Sequence, residues 1–349
     1  MKQIKLGVIG FGNVIQGFLE LLPEKLDYLK VRYHQDIRVH AICDRTEMLI
    51  SPDGFEAGEL LALKLAKNVS GDLMGGVRDF DPAGLVNAYL EAGVNVVLEA
   101  LPTRRDVAEP ALGWLLEFLS RRVPVVTSDK APLVYGFNRL VATSRKHRTP
   151  FKFGGASAAA LPAADTVGIA LAGAEIYGFE GILNGTTNFL LSEMIANKSS
   201  IEEELQIAIE MKICESDPMF DVGGWDTAFK TLILAKAFMD PGAELKDMQV
   251  QGLEGLDYSH VEAGLRQGNT VKLLGKASFE GPHLRMRVKP SIITPTHPFF
   301  TVNGTCKAIT FYTDSLGQLT LFGGASGSRE TAGALLRDIL NISRDTNFV

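Results

Sequence analysis

The sequence predicts an α/β protein, in which a doubly wound, mostly parallel sheet is accompanied by a second domain of the α+β class. A buried strand, a glycine turn and a helix open the chain, and strand-like and helix-like segments then alternate as far as Lys130. After Phe151–Gly155 the composition shifts to small residues, which indicates a second domain. Alternation of this kind is typical of a parallel sheet covered by helices on both faces.

The size and charge of the chain narrow the classes of protein to which it can belong. Its 349 residues exceed the usual size of one compact domain, so two domains are expected. The formal net charge of −6 supplies no broad positive field for nucleic acid. No apolar run reaches the roughly 18 residues that a membrane helix needs. The three cysteines and six histidines are scattered, without metal-binding spacing. We expect a soluble, cytoplasmic protein that binds neither nucleic acid nor membranes.

The first segment carries a dinucleotide-binding pattern. The apolar run Ile4–Gly10 is expected to be a central parallel strand, and apolar residues from Val14 onward recur at helical spacing. Between them, Gly10 permits a tight turn, and Gly12 lets backbone amides approach a pyrophosphate at the positive end of the helix. Ile15 occupies the third glycine position of the motif. Because a strand precedes the turn and a helix follows it, the pattern favours a Rossmann-type nucleotide site over a purely structural turn.

The end of the second predicted strand, Arg38–Asp44, leaves the choice of cofactor open. Asp44 could accept a hydrogen bond from the adenosine ribose, which would favour NAD, whereas Arg45 could meet the 2′-phosphate of NADP. A solvated strand end is the alternative for both side chains. The stretch from Gly10 to Asp44 exceeds the roughly 20 residues of the compact motif, so Pro23–Asp36 is expected to lengthen the first crossover.

Two lysines are candidates for ligand binding or proton transfer. Lys130 ends the predicted strand Val123–Lys130, at the sheet edge where doubly wound folds bind ligands. Lys230 lies four residues after Asp226, so both would share one face of the predicted helix that starts at Trp225. The rest of this helix is apolar, which should direct an ammonium near its beginning into a polar cleft or against carboxylates. A surface lysine, or an exposed ion pair worth about 0.2–0.5 kcal/mol, is the alternative.

The turn NGTTN, Asn184–Asn188, follows a strand-like run. Asparagine and threonine readily cap helices, so the turn could begin a helix. It could also present backbone amides and hydroxyls to a small polar ligand. Its position in the sequence is compatible with both interpretations.

Segments spread over nearly the whole chain together resemble the homoserine dehydrogenase family. They are GFGNV, AEPALGW, VVTSDK, GILNGTTNFLLSEM, ESDPMFDVGGWDTAFK, KAITFYTD and GSRETAGALL, in the order of the family. The resemblance implies an NAD- or NADP-dependent oxidoreductase that interconverts L-homoserine and L-aspartate 4-semialdehyde, a step toward threonine and methionine. It also implies a homodimer whose chain has a nucleotide-binding domain (1–150), a substrate-binding and dimerisation domain (151–315) and a C-terminal segment (316–349) that returns to the first domain.

The resemblance also assigns roles to individual residues. Lys230 matches the proposed general acid/base, Lys130 the lysine near nicotinamide and substrate, and Asp226 a substrate-binding carboxylate one turn before Lys230. The other substrate-binding candidates are Glu215, which would receive the substrate ammonium, and Asp221, Gly185 and Thr186. For the cofactor, the resemblance adds Gly12, Asn13, Val14, Thr103, Lys130 and Gly327 to the candidates Gly10, Asp44 and Arg45 from the motif itself.

Several positions depart from the pattern of the family. Gly154 or Gly155 stands where many relatives have a glutamate of a monovalent-cation site, which argues against a sodium site here. Lys212 replaces a glycine that comes close to cofactor or substrate in relatives. The sequence stops soon after its last predicted helix, so we expect a monofunctional enzyme without the threonine-sensing domain of some relatives.

Two other functions are compatible with parts of the sequence. One is a related amino-acid dehydrogenase that acts on a different aldehyde or imine, and homoserine-dependent reduction of NAD or NADP would separate it. The other is a non-catalytic nucleotide-binding sensor. Retention of Lys130, Glu215, Asp226 and Lys230 argues against the sensor.

Overall fold

The computed structural model describes residues 1–44, 47–70, 77–78, 82–210 and 218–344. The strands are β1 (Lys2–Ile9), β2 (Gln35–Cys43), β3 (Glu47–Phe55), β4 (Val77–Arg78), β5 (Val96–Glu99), β6 (Val125–Thr127), β7 (Phe151–Lys152), β8 (Ile176–Ile182), β9 (Met248–Val250), β10 (Thr270–Glu280), β11 (His283–Ile293), β12 (Lys307–Thr313) and β13 (Gln318–Gly323). The α-helices are α1 (Asn13–Tyr33), α2 (Ala57–Ser70), α3 (Pro82–Glu91), α4 (Ala111–Ser120), α5 (Ala131–His147), α6 (Gly154–Ser157), α7 (Ala163–Asp165), α8 (Gly185–Asn197), α9 (Ile201–Glu210), α10 (Met219–Val222), α11 (Trp225–Phe238), α12 (Tyr258–Arg266) and α13 (Ser328–Ser343).

The chain divides into two compact units. The first comprises Met1–Ala156 together with Gly327–Val349, and the second comprises Ser157–Ser326. The boundaries predicted at 150/151 and 315/316 therefore differ from those of the structure. The larger difference arises because β13 pairs with β12 in the second unit, which takes residues 316–326 out of the predicted C-terminal segment.

The first unit contains a sheet with the strand order β4-β3-β2-β1-β5-β6-β7. Strands β2, β1, β5, β6 and β7 pair in parallel, whereas β3 and β4 are antiparallel additions at one edge. The chain leaves β1 toward β2 on one side and later enters β5 on the other, so the strand order reverses at β1. Ligands of doubly wound sheets bind beyond the carboxyl ends of the strands at such a reversal. The predicted fold class is confirmed.

Both faces of β1 are covered, as its continuous apolar sequence predicts. Leu6 and Val8 lie in an apolar core to which α1 contributes Phe18 and α13 contributes Ile339. Gly7 faces the opposite side, where a side chain would collide with the ring of Tyr89 on α3. Removal of this apolar surface from water, at about 25 cal/mol per Å², is the main force that holds the two helical layers to the sheet.

Helix α1 lengthens the first crossover of the first unit. Helix α1 includes Pro23 and continues to Tyr33, so the predicted lengthening of the crossover is confirmed.

The antiparallel strand β3 was not predicted. Its sequence contains Pro52 and Gly54, which interrupt the pattern of a regular strand, and Gly54 has a φ of +83°.

The second unit is built on a sheet with the order β13-β12-β8-β10-β11-β9. All its pairs are antiparallel except that between β11 and β9. Helix α11 packs on β10, where Gly275 leaves room for Thr227 and Thr231 of the helix. The hairpin of β10 and β11 was not predicted, although buried and exposed residues alternate along β11. Within the described residues, no helix has both the length and the apolar composition needed to cross a bilayer.

Candidate active site

The turn between β1 and α1 has the geometry of a dinucleotide-binding loop. Gly10 has a φ of +101°, and a Cβ there would lie 2.7 Å from the carbonyl oxygen of Ala100. Gly12 is the N-cap of α1 without a side-chain cap, and no described atom lies within 4 Å of a Cβ built on it. Asn13 is exposed and Val14 is half-buried. The amides at the start of α1 therefore adjoin open space, as binding of a pyrophosphate requires.

The close helix packing that the third glycine of the motif normally permits occurs at a different position. Ile15 is fully buried in the core. Two residues further on, a Cβ on Gly17 would lie 3.2 Å from the carbonyl carbon of Ser328, at the start of α13. Gly327, the exposed N-cap of α13, is thus held beside α1 in the first unit. The sequence motif did not reveal this role of Gly17.

Asp44 at the end of β2 is paired with a lysine that the sequence analysis missed. Its Oδ2 atom accepts a hydrogen bond from Nζ of Lys64 on α2 at 2.9 Å, and both side chains are largely buried. The same ammonium lies 5.0 Å from the ring centroid of Phe11 in the glycine loop. Arg45 lies outside the described residues. A cation therefore stands beside the predicted ribose-binding carboxylate.

Thr103 and Lys130 are joined at the carboxyl ends of β5 and β6. The backbone amide of Lys130 donates to Oγ1 of Thr103 at 3.1 Å. Asp129 precedes Lys130, is buried, and accepts a hydrogen bond from the amide of Ala131 at 3.0 Å, which satisfies a donor at the start of α5. The structure thus brings together two predicted cofactor-binding residues that are distant in sequence.

A fully buried carboxyl group lies behind the loops that carry Thr103 and Lys130. Glu99, the last residue of β5, accepts a hydrogen bond at Oε1 from the amide of Leu101 at 2.7 Å, and its Oε2 atom is hydrogen-bonded to the hydroxyl of Thr127. Burial, together with the nearby carboxyl of Asp129, raises the pKa of Glu99 to about 8. The sequence signal for such a group is an acidic residue at the carboxyl end of a buried strand.

In the second unit, Lys230 is held by two acceptors. Its Nζ atom donates to Oδ2 of Asp226 at 2.6 Å and to the carbonyl oxygen of Leu183 at 3.0 Å. The Lys230 and Asp226 side chains are only 12% and 7% exposed. Gly224 begins α11 with a φ of +77°, which places Asp226 in the first turn and Lys230 one turn later on the same face. The predicted helical pair is confirmed, and described residues engage two of the three ammonium donors.

Asn184 connects two segments of the second unit that are distant in sequence, the NGTTN turn and residues 221–226. Its Nδ2 atom donates to Oδ1 of Asp221 and to Oδ2 of Asp226, both at 2.8 Å. Its Oδ1 atom accepts from the amide of Thr187 at 2.8 Å, so the predicted helix cap is confirmed. Asp221, Asp226 and Lys230 together carry a formal charge of −1, which suits the ammonium of a zwitterionic ligand.

The neighbouring residues of the turn have different environments. Thr186 is half-buried at the start of α8. Gly185 is buried, and a Cβ there would lie 2.5 Å from the carbonyl oxygen of Thr305 and would also meet Ser326. Close packing of these backbone segments therefore explains a glycine at this position. Glu215, the predicted ammonium-binding residue, and Lys212 lie outside the described residues.

Gly154 and Gly155, at the position of a cation-site glutamate in many relatives, have closely packed surroundings. At Gly154, a Cβ would lie 2.6 Å from a guanidinium nitrogen of Arg337 and 2.7 Å from Oδ1 of Asp338. At Gly155, it would lie 3.0 Å from side-chain atoms of Leu335 and Ser128. A side chain at either position would therefore require its neighbours to move. No group of three or more metal-ligating side chains occurs in the part of the chain that the structure describes.

The fold and these residues define a class of protein. A mostly parallel sheet with a dinucleotide-binding turn, and a lysine held against carboxylates, are the features of a nicotinamide-nucleotide-dependent oxidoreductase. The family model described as homoserine dehydrogenase matches residues 162–340. The chain belongs to the homoserine dehydrogenase family.

Individual relatives match over nearly the full chain. The homoserine dehydrogenase of Methanocaldococcus jannaschii is 30% identical over 343 residues, which cover 97% of this chain and 98% of that protein. The NAD(+)-dependent homoserine dehydrogenase of Pseudomonas canavaninivorans is 30% identical over 344 residues, with coverages of 98% and 97%. The crystal structure of a homoserine dehydrogenase from Thiobacillus denitrificans superimposes with a TM-score of 0.82 at 26% identity, and covers 99% of this chain and 74% of that one.

Proposed function

We propose that the chain interconverts L-homoserine and L-aspartate 4-semialdehyde with NAD or NADP, a step toward threonine and methionine. One observation carries the proposal beyond family membership. The ammonium of Lys230 is fixed by Asp226 and Leu183, and Asn184 ties the same carboxylate to Asp221. This arrangement offers an acid/base group for the reacting oxygen and negative charge for the substrate ammonium.

The roles of the side chains follow from the chemistry of the reaction. A nicotinamide nucleotide bound to the first unit would supply or accept the hydride at the substrate carbon. During reduction of the aldehyde, negative charge develops on the substrate oxygen, and the Lys230 ammonium stabilises that charge and supplies the proton. During oxidation of homoserine, Lys230 must first be neutral so that it can take the hydroxyl proton. Asp221, Asp226 and Glu215 bind the substrate ammonium, and Lys130 serves as a second cation for the nicotinamide and the substrate.

The remaining assignments of the first unit belong to the same proposal. The first unit binds the nucleotide through Gly10, Gly12, Asn13 and Val14 in the turn. Thr103, Asp44, Arg45, Lys130 and Gly327 complete the set of proposed contacts. The second unit binds the substrate and forms the dimer.

A parallel assay tests this function. Purified protein is given L-homoserine with NAD or with NADP, in sodium, potassium or choline buffers, and the reduced nucleotide is followed by absorbance. We expect homoserine-dependent reduction that the alkali cation leaves unchanged, because glycine stands in place of the cation-binding glutamate and a Cβ there would meet Arg337, Asp338 or Leu335. Turnover with other amino alcohols but not with homoserine would establish the related dehydrogenase instead. Nucleotide binding without any turnover would establish the sensor.

Lys64 is proposed to allow the use of NADP beside Asp44. A carboxylate alone would repel a 2′-phosphate, whereas the ammonium 2.9 Å from it can pair with the phosphate. In Lys64→Ala we expect kcat/KM with NADP to fall about 10- to 100-fold, which is the scale of one lost charged hydrogen bond, and kcat/KM with NAD to change little. Lys30→Ala is the matched control, since Lys30 pairs with Asp36 in the same unit. Equal losses with both nucleotides would contradict the proposal.

We also propose that the chain is a homodimer that associates through the second unit. The support is the family resemblance and the exposed Phe322 on the edge strand β13, whose side chain is 56% exposed. Analytical ultracentrifugation should give twice the chain mass, and Phe322→Glu should shift the equilibrium toward monomer. Leu65→Glu, at an exposed apolar residue of the first unit, is the control and should leave the mass unchanged. A monomeric wild type would overturn the proposal.

A further inference from the structure

A pair of buried carboxyl groups lies at the point where the loops after β5 and β6 meet. Glu99 is fully buried, and Asp129 is 4% exposed. Thr127 lies between them, because its hydroxyl contacts Oε2 of Glu99 and accepts a hydrogen bond from the amide of Asp129 at 3.1 Å. Neither carboxyl group is among the residues to which the reaction assigns a role. Their position behind Thr103 and Lys130 requires an explanation.

We propose that Glu99 is a positioning residue, whose neutral carboxyl group ties the ends of β5 and β6 together and so holds Thr103 and Lys130 for the nicotinamide nucleotide. The proposal rests on the proposed function only for the identity of that nucleotide. The physical claim concerns the protonation of Glu99 and the placement of two loops, and both can be measured without turnover.

The hydrogen bonds form a closed path through both loops. The Glu99 carboxyl group accepts a hydrogen bond from the amide of Leu101, two residues before Thr103. On the other side, the Glu99 carboxyl group contacts the hydroxyl of Thr127. The same hydroxyl oxygen accepts a hydrogen bond from the amide of Asp129. The path closes where the amide of Lys130 donates to Thr103. Loss of any link would free one loop relative to the other.

The surroundings of Glu99 favour its neutral form. None of its hydrogen-bond partners in the described chain is a cation, and a fully buried carboxylate without a cation is costly. The titratable groups that act on it are Asp129 after β6 and Cys43 at the end of β2, and the charge of Lys130 acts on Asp129. Burial raises the pKa of the Cys43 thiol to about 11, so it adds no charge at neutral pH. Burial also raises the pKa of Asp129, and two such carboxyls do not ionise together easily.

A neutral carboxyl also fits the donors and acceptors around it. The Thr127 hydroxyl lies 3.5 Å from the carbonyl oxygen of Asp129 and can donate there. A protonated Oε2 of Glu99 can then donate to Thr127, while Oε1 accepts from Leu101. Glutamine reproduces this arrangement, since its Nε2 donates to Thr127 and its Oε1 accepts from Leu101.

The first test compares Glu99→Gln with wild type by nucleotide affinity, measured from the fluorescence of bound NADH or NADPH between pH 6 and pH 9. At neutral pH we expect affinities within about twofold of each other, because all hydrogen bonds are retained. Above about pH 8 the wild type should lose affinity, as ionised Glu99 repels Asp129 and loosens both loops, whereas Glu99→Gln should not. Equal pH dependence in the two proteins would overturn the proposal.

The second test removes the link between the two strands. Thr127→Val keeps the side-chain shape but deletes the hydroxyl, and we expect nucleotide affinity to fall about tenfold, the scale of one buried partner lost. Thr149→Val is the matched control, because the Thr149 hydroxyl is also buried in the first unit and donates to the carbonyl oxygen of Leu119 at 2.9 Å. It should lower the melting temperature without changing affinity. Equal loss of affinity in both variants would assign Thr127 a general structural role and refute the proposal.

The third test detects the proton on Glu99 by infrared spectroscopy. Infrared difference spectra at pH 7 should show a protonated-carboxyl band in wild type that Glu99→Gln lacks, and identical spectra would refute the neutral form.

Because the folded chain keeps a proton that unfolded glutamate releases above pH ~4, raising the pH from about 4 to about 8 favours unfolding of wild type. The melting temperature of Glu99→Gln relative to wild type should therefore rise across this window and then level off. A constant difference would refute the proposal, whether or not homoserine proves to be the substrate.

Discussion

Replacement of Lys230 by alanine is expected to reduce kcat/KM for homoserine by about 10²- to 10⁴-fold, the usual contribution of one positioned acid/base group. The affinity for the nicotinamide nucleotide should not change, because the described contacts of Lys230 lie within the second unit. Steady-state kinetics and fluorescence titration of NADH or NADPH measure the two quantities separately. Turnover preserved within a few-fold would rule out Lys230 as the acid/base group.

Lys230→Arg separates proton transfer from positive charge. Arginine keeps the cation but stays protonated, so it cannot accept the hydroxyl proton during homoserine oxidation. The arginine variant should therefore oxidise homoserine about 10²-fold or more slowly than wild type. Lys236→Ala is the matched control, since Lys236 is buried in the same helix but away from the Asp226 cluster, and it should alter stability more than turnover. Oxidation of homoserine by the arginine variant within a few-fold of wild type would contradict proton acceptance by Lys230.

The sequence was sufficient for features that depend on local pattern. The buried strand at Ile4–Gly10, the glycine turn and the helical pair of Asp226 and Lys230 each follow from residues close together in the chain. Periodicity and turn chemistry report such features directly. The predicted fold class and family were therefore confirmed, while the residue roles stay predictions.

The missed features depend on contacts between residues that are distant in sequence. Lys64 approaches Asp44 only because α2 follows the unpredicted strand β3, and Gly17 matters only because α13 returns to α1. The network of Glu99 requires the adjacent carboxyl ends of β5 and β6. No periodic pattern records such proximity, since side chains from separate elements are brought together by the topology of the sheet.

Asn184 shows how one side chain can serve both the fold and the chemistry. Its amide group donates to two carboxylates, while its carbonyl oxygen caps α8. Aspartate at this position has the same shape and is an equally good cap, but it cannot donate a hydrogen bond when ionised. Asn184→Asp would therefore retain the helix and place a third carboxylate against Asp221 and Asp226. The variant isolates the donation to these carboxylates from the helix cap.

We expect Asn184→Asp to lower kcat/KM for homoserine by about 10²-fold or more, because loss of both hydrogen bonds and repulsion among three acids displace Asp226, the partner of Lys230. Stability should fall by a few kcal/mol and recover in part as the pH is lowered, because protonation of one acid relieves the repulsion. Asn188→Asp is the matched control: the buried Asn188 amide on the same helix donates to the carbonyl oxygens of Val302 and Cys306 instead of to Asp221 or Asp226. It should lose stability but retain turnover in the fraction that is folded. If both variants lost activity only in proportion to unfolding, the amide of Asn184 would have no part in holding Asp226 and Lys230 for catalysis.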